Sequence, residues 1–207
     1  MPLIRPAAGT PDTISETLDS RRDKLASGGV DERRHAARAL ARDPAAAPLL
    51  AACLESEPDP RVRDALFASL SDIGGPQAAE LVAAFIRSDD AGLRGGAIEA
   101  LKHLETDAVA VLDALMSDPD TDVRILAVEV TRAWPRELAN PRLRRVLELE
   151  SHVNVCAAAV DVATEVGIED LLPALDGLRE RFADEPFLVF AIDIACTRIR
   201  GDEAQAT

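Results

Sequence analysis

The chain has 207 residues, of which 47% are hydrophobic and 3% aromatic, and carries a formal net charge of −14. That apolar content supports a packed core and excludes a disordered or fibrous chain. No run of about eighteen apolar residues reads as a membrane span, and the acidic balance opposes default binding to nucleic acid or an anionic membrane.

The opening Met1-Pro2-Leu3-Ile4-Arg5-Pro6 lacks the apolar stretch of a secretory signal, and Cys53, Cys156 and Cys196 are scattered and odd in number. Both features point to the cytoplasm, with buried thiols rather than a disulfide framework. Tyrosine is absent, and the core must be filled by Ala, Leu, Val and Ile. Ala, Leu, Arg and Glu are strong helix formers, whereas strands favour β-branched and aromatic residues, so the chain reads as helical throughout.

In chain order, residues 1–11 read as a flexible lead, 12–200 as one folded domain and 201–207 as a polar tail. Thr13–Ala26 reads as an amphipathic cap carrying Ile14, Leu18 and Leu25. From there a short pattern recurs. Copies run over Glu32–Leu40, Val62–Leu70, Leu93–Leu101, Val123–Thr131, Val155–Ala163 and Phe187–Ala195. One column holds Ala36, Leu66, Ala97, Ala127, Ala159 and Ala191, spaced by 30, 31, 30, 32 and 32 residues. The small residues there predict close approach by a neighbouring helix. The next column, Ala37, Phe67, Ile98, Val128, Val160 and Ile192, is apolar, and the one after it is mostly charged: Arg38, Ala68, Glu99, Glu129, Asp161 and Asp193. This is one helix with a buried and a wet face.

A second helix follows each of the first five copies, in register through Leu50/Cys53/Leu54, Val82/Phe85/Ile86, Leu112/Leu115/Met116, Leu143/Val146/Leu147 and Leu175/Leu178. Gly74-Gly75-Pro76, Trp134-Pro135, Asn140-Pro141 and Gly167 are expected between helices. The turns around Pro58-Asp59-Pro60, Asp89-Asp90, Asp118-Pro119-Asp120 and Asp184-Glu185-Pro186 are expected to cap the next first helix. Such a hairpin cannot bury its apolar face alone, so the expected fold is an all-α solenoid of about six stacked hairpins.

Asp59-Pro60-Arg61-Val62-Arg63-Asp64-Ala65 and Ile73-Gly74-Gly75-Pro76-Gln77-Ala78 resemble the short HEAT repeats of the phycobilin-lyase-like class, over roughly residues 28–200. The resemblance implies that the recurrent arginine links adjacent repeats to acidic turns. That column holds Arg33, Arg63, Arg94 and Arg124 and then fails at Cys156 and Leu188, so the last repeats are expected to be held mainly by apolar packing. Di-iron hydroxylases with similar repeats carry repeated His-Glu pairs, whereas His35, His103 and His152 are followed by Ala, Leu and Val.

No residue set reads as catalytic, cofactor-binding or metal-binding. His152 and Cys156 stand four apart, but a zinc site needs three or four ligands, so a capping histidine and a buried thiol are the simpler reading. Arg142, Arg144 and Arg145, with Arg136 nearby, read as a solvated face paired with acids such as Glu148 and Glu150. Trp134 reads as a packing plug. Gly95-Gly96, inside a predicted helix, cost about 1 kcal/mol each relative to alanine, and a neighbouring helix is the expected reason.

HEAT-type arrays generally line their concave side with second helices. The exposed columns there would be Ala51/Ala83/Asp113/Arg144/Asp176 and Glu55/Arg87/Ser117/Glu148/Glu180. The expected function is therefore a non-catalytic protein-binding scaffold, an assembly or maturation factor for a basic or extended partner. Its candidate contacts are Arg87, Asp113, Arg144, Glu148, Asp176 and Glu180. Phe190 and Ile194 are added because Phe187–Ile199 is crowded with apolar residues and has no following helix, which also suggests self-association. The alternative implied by the resemblance is a lyase or lyase subunit acting on a protein-bound tetrapyrrole.

Overall fold

The computed structural model describes residues 18–206, with side chains over 20–201. The expected lead at 1–11, Ile14 and Thr207 lie outside these residues. Twelve α-helices follow in order: α1 Leu18–Ser27, α2 Val30–Leu40, α3 Ala47–Ser56, α4 Pro60–Ile73, α5 Gly75–Ala83, α6 Ala91–Leu104, α7 Val109–Leu115, α8 Thr121–Val130, α9 Arg136–Leu149, α10 Val153–Val166, α11 Leu172–Arg181 and α12 Pro186–Ala206. Short 3-10 turns join several of them, and no strand occurs among the described residues. No described helix is long and apolar enough to cross a membrane.

The even-numbered helices α2 to α12 pack side by side as one layer, and α3, α5, α9 and α11 belong to the second, with α7 closing on α5. The expected all-α solenoid is what forms, with one difference in count. Five complete hairpins are flanked by the single helices α1 and α12, and the expected polar tail continues α12 as helix through Ala206.

The columns behave as stacked hairpins demand. Ala36, Leu66, Ala97, Ala127 and Ala159 are buried, and Ala191, at the end of the stack, is half-buried. Leu50, Leu54, Leu66, Leu101, Leu143 and Leu175 are fully buried, each contributing about 2 kcal/mol by leaving water. The core runs without a break from Leu25 to Ile199.

Local chemistry starts the first helices. Asp59 accepts from the Arg61 N–H at 2.9 Å, Asp90 from the Gly92 N–H at 2.7 Å and Asp120 from the Asp122 N–H at 2.9 Å. These carboxylates satisfy N–H groups that the first helical turn leaves open.

Asn140-Pro141 do not separate helices: both lie inside α9. Pro48, Pro141 and Pro173 hold equivalent places, but Pro48 and Pro173 open α3 and α11, whereas an extra helical turn precedes Pro141. Proline brings no N–H to the helix ladder. The buried Asn140 side chain supports this turn, donating to the Arg136 carbonyl at 3.0 Å and the Val166 carbonyl at 3.1 Å, and accepting from the Ile168 N–H at 3.2 Å. Trp134 plugs the same region, buried, with its indole N–H on the Leu101 carbonyl at 3.2 Å.

Candidate protein-interaction surface

Along the edge where each second helix turns into the next first helix, arginines hold the turns. Arg33 donates to the Gly28 carbonyl at 2.8 Å and forks onto Glu57 with two contacts of 2.8 Å. Arg63 repeats the pattern on the Glu57 carbonyl at 2.6 Å and Asp90 at 2.8 Å. Arg94 holds the Ser88 carbonyl at 2.6 Å, and Arg124 holds the Asp118 carbonyl and the Glu150 carboxylate, both at 2.8 Å. The carboxylate of Asp118 is taken instead by Arg87.

Where the arginine column fails, the turn after α9 is still held by polar bonds, beside the apolar packing expected there. The Cys156 thiol donates to the Glu150 carbonyl at 3.5 Å, and Arg181 reaches back from α11 to the carbonyls of Leu147 at 2.9 Å, Glu150 at 3.1 Å and Glu148. An arginine on the other helix thus supplies the missing cation, a substitution that column-by-column reading does not detect.

These bonds set the ionisation of the acids. Burial alone raises the Glu57 and Glu150 carboxyls, but Arg33 and Arg124, with turn N–H donors, more than offset it and hold both below the ordinary carboxylate range. Thiols move the other way. Burial pushes Cys53 and Cys196 up, and burial with the Glu150 charge pushes Cys156 up to about 11. Each thiol is held protonated near neutrality and is a poor nucleophile. His152 takes the N-cap position of α10 through its backbone, but its ring makes no capping bond.

The two expected second-helix columns separate. In the first, Ala51 and Ala83 are buried, not exposed, and Asp113, Arg144 and Asp176 are half-buried. Neighbouring second helices meet there, and two of the charged members bridge to an adjacent repeat, Asp113 to Arg142 at 2.8 Å and Arg144 to Asp170 at 3.6 Å, while Asp176 pairs along its own helix with Arg179 at 3.3 Å. Arg142 and Arg144 of the basic cluster are therefore paired with acids of adjacent repeats rather than with Glu148 and Glu150, and Arg145 reaches the Ser117 hydroxyl. The second column, Glu55, Arg87, Ser117, Glu148 and Glu180, is exposed throughout.

On α12, Leu188, Ile192, Ala195, Cys196 and Ile199 face the stack and are buried. The opposite face leaves Phe187 90%, Phe190 65% and Ile194 41% exposed, at i, i+3 and i+7. One helix thus carries two apolar faces, and α10 and α11 cover only one. Leu149, at the end of α9, is a further exposed apolar side chain not singled out by periodicity.

The glycine pair in α6 also divides. A Cβ on Gly96 would fall 2.3 Å from Phe67 Cε2, so the approach of α4 requires glycine there. A Cβ on Gly95 would meet nothing within 4 Å. The neighbouring helix explains one glycine and leaves the other without a packing reason.

Residues 19–102 match the family model described as HEAT repeats. The bilin biosynthesis protein PecE of Nostoc sp. is 39% identical over 90 residues, which is 42% of this chain and 36% of that protein, so the likeness spans about a third of the relative. Among solved structures, an engineered protein aligns over 89% of this chain and 96% of its own at 18% identity and a TM-score of 0.44. The complex of CpcE and CpcF of phycocyanin lyase from Nostoc sp. aligns over 95% of this chain and 100% of that chain at 16% identity and a TM-score of 0.38. The match over residues 19–102 and the stacked hairpins identify HEAT repeats in this chain, and 90 of its residues are similar to the bilin biosynthesis protein PecE.

Proposed function

We propose that the chain is a protein-binding scaffold, an assembly or maturation factor that holds another protein. The observation that carries this reading is the uncovered face of α12, where Phe187, Phe190 and Ile194 stand in line in solvent. A contiguous apolar strip on an exposed helix face marks an interaction site. The exposed column Glu55, Arg87, Ser117, Glu148 and Glu180 changes from repeat to repeat, which suits an extended partner, and a net charge of −14 favours a basic one. Replacing Phe190 or Ile194 by a charged residue should release a protein captured from the native cell, or dissociate a self-associated form, while helicity and melting temperature stay close to wild type. A wild type that is monomeric and captures nothing, with variants that only lose stability, would sink this reading.

A second reading, a lyase or lyase-subunit role in bilin attachment, is supported by the 39% identity to PecE over 90 residues. Cys156 and Cys196 are buried, and burial raises these thiols and the half-buried Cys53, so an acceptor cysteine would belong to the partner. Incubation with a linear tetrapyrrole and the captured protein separates the two: a coloured stoichiometric complex favours the lyase role, and colourless capture favours the scaffold.

A further inference from the structure

We infer that the first-helix layer carries a second recognition site, a groove between α4 and α6 that takes an extended basic–apolar–basic segment of another protein. The groove has about 630 Å³ of open space, is lined mainly by apolar surface, and has the buried Phe67 and Ala100 with Gly96 at its floor and the exposed Ala68 and Gly95 beside them. Glycine inside a helix is costly. Gly96 is required by the Phe67 ring, but Gly95 is required by no neighbour, and a side chain there would project into the open groove. The absent side chain is what keeps the groove open.

The charge on the walls selects the occupant. Glu99 is already paired with Lys102 at 2.8 Å. Asp64 and Asp72, both on the α4 wall, are exposed and hold no ion pair among the described residues. They are two turns apart, about 12 Å along the helix. In an extended chain, residues i and i+4 lie about 13 Å apart on one face, with i+2 between them. A segment with Lys or Arg at i and i+4 and an apolar residue at i+2 therefore matches both carboxylates and the glycine floor, its basic side chains lying along the floor through their methylenes. This surface is separate from the α12 face and from the exposed second-helix column.

The test is an NMR titration of the ¹⁵N-labelled full chain with the peptide Arg-Ala-Leu-Ala-Arg, blocked at both ends, and with its Glu-Ala-Leu-Ala-Glu counterpart. Saturable shifts of the Gly92, Gly95 and Gly96 amides with the basic peptide only, fading as salt rises, are expected. Gly95→Leu, and separately the pair Asp64→Asn and Asp72→Asn, should weaken binding about tenfold or more, with Gly95→Leu melting no lower than wild type. Phe190→Glu should leave this titration unchanged, so the site stands or falls independently of the α12 reading. The inference is overturned if the basic peptide moves none of these amides, if the acidic peptide binds as well, or if Gly95→Leu binds like wild type. Shifts produced instead by the anionic dye anilinonaphthalenesulfonate, or by raising the protein concentration alone, would overturn it in favour of a small-molecule pocket or a second copy.

Discussion

Arg124 Nε lies 2.8 Å from Glu150 Oε2 while its Nη1 holds the Asp118 carbonyl at 2.8 Å, so a single guanidinium joins the turns on either side of the fourth hairpin. Both side chains are largely withdrawn from water. Arg124→Ala leaves a partly buried carboxylate and a turn carbonyl without their donor, and should destabilise the protein by about 2 kcal/mol in urea unfolding. Arg124→Lys should recover only part of this, because an ammonium cannot span carboxylate and carbonyl as the planar fork does. A loss in Arg124→Ala no larger than that of an exposed surface arginine would show that the turn is held by packing.

Acid should unfold the chain through the same edge. Glu57 and Glu150 have folded-state values below their ordinary ones, as do Asp90, beside Arg63, and Asp118, which accepts from the Asp120 N–H and pairs with Arg87. A depressed carboxylate stabilises the fold fully above its unfolded value, about pH 4, and that contribution disappears as pH falls through the folded value. Melting temperature should therefore be flat from pH 7 to about 5 and decline below about 4. Glu57→Gln should start lower and decline less. A profile that rises on acidification would mean that relief of the net negative charge outweighs the lost pairs.

Gly96→Ala and Gly95→Ala should move stability in opposite directions. At Gly96 the new methyl would overlap the buried Phe67 ring, and overpacking of this kind costs about 1–3 kcal/mol. At Gly95 the methyl enters open space and the helix gains about 1 kcal/mol of propensity at most. Paired thermal melts of the two variants check this, and equal behaviour would refute the packing reason given for Gly96.

Much of the architecture is legible in the columns themselves. Small and apolar residues recur every 30 to 32 positions because each hairpin buries the same faces against equivalent neighbours, and Asp59, Asp90 and Asp120 cap helices through bonds only two or three residues long. The exposed face of α12 was also within reach, since Phe187–Ile199 carries more apolar residues than one neighbour can cover.

Other features depend on contacts that periodicity does not encode. Arg181 replaces a missing arginine from a different helix, reaching carbonyls more than thirty residues away. Asn140 makes an extra turn before Pro141 possible by bonding to the following hairpin, and Ala51 and Ala83 are buried because second helices close upon them. Gly95 and Gly96 are identical in sequence, and only the position of the Phe67 ring distinguishes a packing requirement from an open groove. The sequence by itself determined the repeat, its helices and which face of each first helix is buried, because those follow from local propensity and a shared pattern of burial. Tertiary structure alone decided which charges are paired and which remain available to a partner, because side chains separated by about one repeat meet only after the hairpins have stacked.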